Sequence, residues 1–89
     1  MTEIKKLFKA YETAEQESNR LYSLLENDLD NEELEAQWDA AYNKEYTAHE
    51  ALVTEIVKIT SGMIDSKTAR AMIALKKTEL KNLIGRLAA

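Results

Sequence analysis

Eighty-nine residues, 45% of them hydrophobic and 31% charged with a formal net charge of −4, set the scale of one small domain spanning residues 1–89. There is no cysteine, which excludes disulfides, thiolate metal sites and cysteine nucleophiles and suits a reducing cytoplasm. No run approaches the ~18 apolar residues of a membrane span, and Met1-Thr2-Glu3-Ile4-Lys5-Lys6 lacks the apolar stretch of a signal peptide, so a cytoplasmic protein without membrane contact is expected.

The first predicted helix covers about residues 2–26. Ile4, Leu7, Tyr11, Ala14, Ser18, Leu21 and Leu25 alternate by three and four along it, and Phe8 and Tyr22 widen the stripe. Asn27-Asp28-Leu29-Asp30-Asn31 is rich in turn formers, and Asp30 followed by Glu33 has the spacing of a capping box. The second helix then runs over about 31–61 and stops at Gly62, with Met63 and Ile64 placed to pack back over its end. Asp65 or Ser66 caps a third helix over about 66–88, whose stripe is Ala69, Ile73, Lys76, Leu80, Leu83 and Leu87, with Met72 and Ile84 beside it.

Projected at about 100° per residue, the apolar residues of the second helix, from Leu34 and Trp38 through Tyr42, Tyr46 and His49 to Ile56 and Ile59, fill an arc of about 180°. A helix flanked by two neighbours needs that width, whereas the first and third have narrower stripes. The expected fold is therefore all-α, an antiparallel up-down-up three-helix bundle with a long central helix. In it Trp38, Tyr42 and Tyr46 are mostly core, with their polar tips reaching water or a local partner. A dimer through the wide arc is the alternative.

Folding the helices back through their turns sets Glu45 and His49 level with Tyr11, Ala14 and Ser18 of the first helix and with Thr78 and Asn82 of the third. Glu45, His49, Tyr11, Ser18 and Asn82 are thus candidates for a polar core layer that fixes register, as a polar position does in coiled coils. Glu45 and His49, spaced i to i+4, could bond to each other. The sharper reading of the same layer is a small-ligand or proton-transfer site, because a half-buried carboxylate beside an imidazole is where perturbed pKa values arise.

Other chemistries lack their residues. His49-Glu50 starts like a zincin helix, but the second histidine of HExxH is replaced by Val53 and the chain has no other histidine. Residue 46, three before His49, is Tyr46 where a di-iron bundle needs Glu. Gly62 and Gly85 are isolated and make no phosphate-binding loop. No catalytic residue, metal or cofactor is expected, and no enzyme activity.

Charge is distributed unevenly. Residues 1–62 hold 14 acidic and 6 basic side chains, residues 63–89 hold 2 and 6, so the third helix is the basic element of an acidic protein. Lys67, Arg70, Lys77 and Lys81 share one flank about 21 Å long. That flank could follow phosphates, or pair with Glu12 and Glu15 of the first helix. Between Arg20 and Lys44 lie seven carboxylates, Glu26, Asp28, Asp30, Glu32, Glu33, Glu35 and Asp39, and no base. They form either a solvated tip or a dock for a basic partner. The functional expectation is a small helical interaction or accessory protein that binds a protein partner or a second copy through a surface. Leu24, Leu29, Val57, Ile64 and Leu75 are its candidate apolar patch, and nucleic-acid binding by the basic flank is the alternative.

Overall fold

A computed structural model describes residues 3–87. Their regular structure is all α-helix: α1 Glu3–Glu26, α2 Glu32–Ile59, α3 Ser66–Leu75 and α4 Lys77–Leu87. The molecule is elongated, 46 × 25 × 19 Å, and its long dimension is close to the ~42 Å that a 28-residue helix such as α2 spans. No described helix is long and apolar enough to cross a membrane.

α1 and α2 form an antiparallel hairpin. Tyr22 stands against Trp38 and Tyr11 against His49, and both pairs are placed symmetrically about Asp30, so the register is constant along the hairpin. The turn residues are those expected from composition, but the cap lies one residue later than the capping-box spacing indicates. Asn31, not Asp30, is the N-cap, its side-chain oxygen accepting from the Leu34 N–H at 2.9 Å while its amide donates to Asp28 at 3.0 Å. An extended Asn31 backbone makes that geometry available, and its second hydrogen bond ties the cap to the turn.

At the other end α2 closes at Thr60, whose hydroxyl donates to the Ile56 carbonyl and accepts the Ile64 N–H. Ser61 and Gly62 both take positive φ, 55° and 81°. Glycine carries no Cβ penalty there, and serine holds the conformation at some strain. Asp65 caps α3 through the Thr68 N–H at 2.8 Å, as its position suggests. Ile64 packs on the core, whereas Met63, expected to do the same, is almost fully exposed.

The expected single third helix, 66–88, is two helices within the described residues. Leu75-Lys76-Lys77 holds no glycine or proline, yet Lys76 leaves helical geometry at φ −135°, ψ 51°. The backbone loses little by this. The Lys76 N–H still bonds Met72, and the Lys76 carbonyl still accepts from Leu80, both at 2.9 Å. What is gained is burial: Leu80 and Ile84 of α4 close one core with Ile4, Phe8 and Tyr11 of α1, Leu52, Val53 and Ile56 of α2, and Ala69 and Ile73 of α3. Fully burying a leucine- or isoleucine-sized side chain is worth about 1.5–3 kcal/mol, more than one non-helical residue costs.

The break also reverses a direction. Lys77 pairs with Glu15 and Lys81 with Glu12, and farther along Ile84 and Gly85 share a hollow with Lys5 and Phe8. Residue numbers fall on α1 as they rise on α4, so α4 runs against α1, where an up-down-up bundle would have the two parallel. The core therefore gathers at the end of the hairpin that carries the start of α1 and the end of α2. Toward the α1–α2 turn only Ser18, Leu21 and Ala41 are buried between the two long helices.

Candidate functional site

The register of the hairpin places Tyr11 beside His49, with Glu15 opposite Glu45. Tyr11 is buried and donates its hydroxyl to Glu15 Oε2 at 2.9 Å. The Lys77 ammonium bonds the other oxygen of Glu15 and stands 5.9 Å from the centre of the Tyr11 ring, so α4 is tied to α1 by an ion pair and a cation–π contact on the same residue pair. The His49 and Tyr11 rings meet edge to face, 5.7 Å between centres, and His49 Nδ1 lies 3.0 Å from Glu50 Oε2. Glu50 in turn accepts from Arg70 of α3 through both its oxygens, at 2.7 and 3.3 Å. One continuous chain of contacts, Lys77–Glu15–Tyr11–His49–Glu50–Arg70, polar except for the Tyr11–His49 ring contact, thus joins all four helices.

This network differs from the expected polar layer in three respects. His49 bonds its neighbour Glu50 and not Glu45, because Arg70 holds Glu50 alongside the imidazole. Asn82 is exposed on α4 and Thr78 with it, since α4 turns back along α1 and carries both away from Glu45. Ser18 is buried, 4% exposed, against α2 one turn above Glu15, and takes no part in the chain of contacts. Glu50 is the member that residue spacing passed over: next to His49 it resembles part of a metal motif, and its partner Arg70 is twenty residues away. Among the described residues no group of three or more His, Cys, Asp or Glu side chains is placed to hold a metal ion.

The electrostatics follow from these contacts. Burial pushes the Tyr11 hydroxyl far above the usual phenol value, reinforced by its hydrogen bond to Glu15 and by the charges of Glu15 and Glu45. Burial alone would raise Glu15, but the hydrogen bonds from Lys77 and Tyr11 and the Lys77 charge outweigh it and hold the carboxyl below its ordinary value. Glu50 is lowered by the Arg70 hydrogen bond first and the His49 bond second. A carboxyl lowered in the folded state contributes stability that is fully present above its unfolded-state pKa and is lost as the pH falls through the folded value. Acidification below about pH 5 is therefore expected to reduce the melting temperature progressively. Glu15→Gln should flatten that dependence, and an unchanged pH profile in the variant would show that the contact carries no linkage.

Of the basic flank, Arg70, Lys77 and Lys81 each meet a carboxylate: Glu50, Glu15 and Glu12, the last at 3.6 Å. Lys67 is exposed with no ion pair among the described residues. Changing Lys77 and Lys81 to glutamine is expected to lower stability by about 0.2–1 kcal/mol per pair, as for partly exposed salt bridges generally. Thermal melts of the single and double variants measure this, and a melting temperature unmoved in all three would remove the ion pairs from the energetics of the α4 seat.

A second element of the site lies on the same side of the hairpin, beyond the point where Lys76 turns the chain. Trp38 contacts Tyr22 at 5.9 Å and Tyr42 at 5.5 Å between ring centres, and Tyr46 follows one helical turn later. Tyr42, Glu45, Tyr46, His49, Glu50 and Arg70 line an open hollow of about 420 Å³, so the aromatic strip runs directly into the polar network. Expected as core, Tyr42 is 50% exposed and Tyr46 60% exposed, while Trp38 is half-buried. No third helix extends over them, because α3 ends at Leu75. The apolar patch expected from Leu24, Leu29, Val57, Ile64 and Leu75 does not form as one surface. Ile64 packs on the core and Val57 is half-buried, while Leu29 and Leu75 are strongly exposed at two different corners, the hairpin tip and the α3–α4 junction.

A larger hollow, about 920 Å³ and open to solvent, follows another flank of the hairpin, floored by Ala10, Ala14 and Ala48 and rimmed by Lys6, Lys9, Arg20 and Lys44. Thr13, Gln16 and Glu17 line it as well, and Glu17 accepts from Arg20 through both its oxygens, at 2.6 and 3.0 Å, a pair within α1 that reaches no other helix. Comparisons with protein-family models, with curated proteins and with solved structures return no match for this chain.

Proposed function

We propose that this protein is a non-enzymatic helical interaction module, cytoplasmic as its lack of cysteine suits, which binds another protein through the uncovered aromatic face of the α1–α2 hairpin. The supporting observation is the strip Tyr22, Trp38, Tyr42 and Tyr46, left open where α3 ends although the rest of that side of the hairpin is covered by α3 and α4. Exposed aromatic clusters of this kind are enriched at protein interfaces, since tyrosine and tryptophan bury large rigid surfaces while keeping a polar tip. The nucleic-acid alternative draws on the basic flank, and three of its four cations are engaged with carboxylates of the protein itself.

Two measurements on one sample test this reading. Nile red, a neutral apolar dye, should bind saturably, and binding should be lost in the Tyr42→Ser/Tyr46→Ser variant. A short DNA duplex at physiological salt should bind no tighter than about 10⁻⁶ M, the upper end of non-specific affinities, with no change in molar mass. Absence of dye binding together with a tight, salt-sensitive duplex complex would replace the interaction module with a nucleic-acid binder.

A further inference from the structure

Resting on that reading, we infer that the partner seated on the Tyr22–Trp38–Tyr42–Tyr46 face is a cationic amphipathic helix of another protein. Shape is the first support. The face is the seam between two antiparallel helices, along which a third helix can pack its ridge, and at its Tyr42–Tyr46 end it opens into the hollow beside Arg70. From Leu34 to Tyr46 it runs about 18 Å, room for about twelve helical residues. α3 already occupies the same side of α2 lower down: Ala69 and Ile73 face the core, and Arg70 reaches Glu50 at the mouth of the hollow that Tyr46 and Tyr42 line. Five residues past Arg70, about 7.5 Å farther along, α3 stops. An incoming helix would continue its line.

Charge decides the chemistry of that helix. Between Arg20 and Lys44 there are seven carboxylates and no base, and none of the seven has an ion pair among the described residues. Three of them flank the strip directly: Glu35 and Asp39 lie one helical turn before Trp38 and Tyr42, and Glu26 lies one turn after Tyr22. All three are exposed. Lysine or arginine on the rim of a bound helix would meet these carboxylates and the faces of the rings together. A second copy of this hairpin would instead bring seven further carboxylates to the same contact, and a polyanion would be repelled as well.

The test uses Trp38, the only tryptophan of the chain, as the reporter. Two synthetic 14-residue helical peptides share one leucine face, the first with lysine at every other position and its twin with glutamate there. The lysine peptide should shift Trp38 emission saturably at one-to-one stoichiometry, and added salt should weaken it, while the glutamate twin should have no effect. Affinity should fall at least tenfold in Tyr42→Ser/Tyr46→Ser and in Glu35→Lys/Asp39→Lys, two variants confined to exposed side chains, and remain unchanged in Lys9→Gln on the other flank. Equal response to both peptides, or undiminished affinity in the two face variants, overturns the proposal. So does a doubled molar mass of the free protein that the tyrosine variant abolishes, since the face would then seat a second copy. If Nile red still binds while both peptides are refused, the apolar face stands but an amphipathic helix is not its occupant, and the proposal is overturned. If dye and peptides are all refused, the interaction surface itself fails.

Discussion

Replacing Ala48 with proline is expected to abolish cooperative unfolding altogether. Ala48 lies in the middle of the 28-residue α2, half-buried and level with the start of the polar network. Proline there removes the hydrogen bond from residue 48 to the Lys44 carbonyl and drives its ring against that same carbonyl, at a cost of about 3 kcal/mol or more. A domain of this length has a total stability of roughly 5–13 kcal/mol at ~0.05–0.15 kcal/mol per residue, so the loss is a large share of it. The position amplifies the effect. Leu52, Val53 and Ile56, the part of α2 that the whole core packs on, follow the break, while Trp38 and Ala41, which pack near the α1–α2 turn, precede it. A kink at residue 48 disconnects the two. Far-UV circular dichroism over a thermal ramp reads this directly, and a variant that melts cooperatively within a few degrees of the parent would show that α2 is not one continuous helix in solution.

The long helices and both connections were legible in the sequence because their signals are local. Apolar steps of three and four give α1 and α2, the run from Asn27 to Asn31 gives the first turn, and Gly62 with Asp65 gives the second. The break at Lys76 has no such signal. Leu75, Lys76 and Lys77 are all good helix formers, and the stripe from Ala69 to Leu87 continues through them in phase. The break follows from a comparison that no window of sequence contains: α4 laid against Ile4 and Phe8 buries Leu80 and Ile84, whereas the same residues carried onward would lie over the far half of the hairpin, among Tyr22, Trp38 and Tyr42.

The same long-range choice explains where the site departs from the spacing of its residues. A 180° apolar arc on α2 reads as two covered flanks, and one of them is covered only as far as α3 reaches. Tyr42 and Tyr46, spaced like core residues, are thus surface. The meeting of Lys77 and Lys81 with Glu12 and Glu15 follows in sequence from a parallel arrangement of the first and third helices; it survives the reversal, with Lys77 on Glu15 and Lys81 on Glu12, because the four residues sit near the crossing. The direction was not legible, and Asn82, which depends on it, was misplaced. Arg70 and Glu50 meet only because α3 lies against α2, a contact between different helices that periodicity along either one does not encode.

Leu80→Ala is the substitution that tests the α4 seat itself, and its expected cost is about 2–5 kcal/mol, the range for truncating a fully buried leucine. Leu80 is 0% exposed and sits among residues of all the other helices. Its methyl groups are lost to a cavity that rigid helices on several sides cannot readily collapse. Leu75, five residues earlier and on the other side of the break, is 81% exposed, and Leu75→Ala should change stability by no more than about 0.5 kcal/mol. The contrast is specific to the bend. Were residues 66–87 one straight helix, Leu80 would lie over the aromatic part of the hairpin, distant from Ile4 and Phe8, and its truncation would leave the packing of those two residues untouched. Chemical denaturation of both variants, combined with Phe8→Ala in a double-mutant cycle, separates the cases. A coupling of at least ~0.5 kcal/mol between Leu80 and Phe8 is expected for side chains that share one core. Strict additivity, or a Leu80→Ala cost no larger than that of Leu75→Ala, would mean that α4 does not occupy this seat in solution.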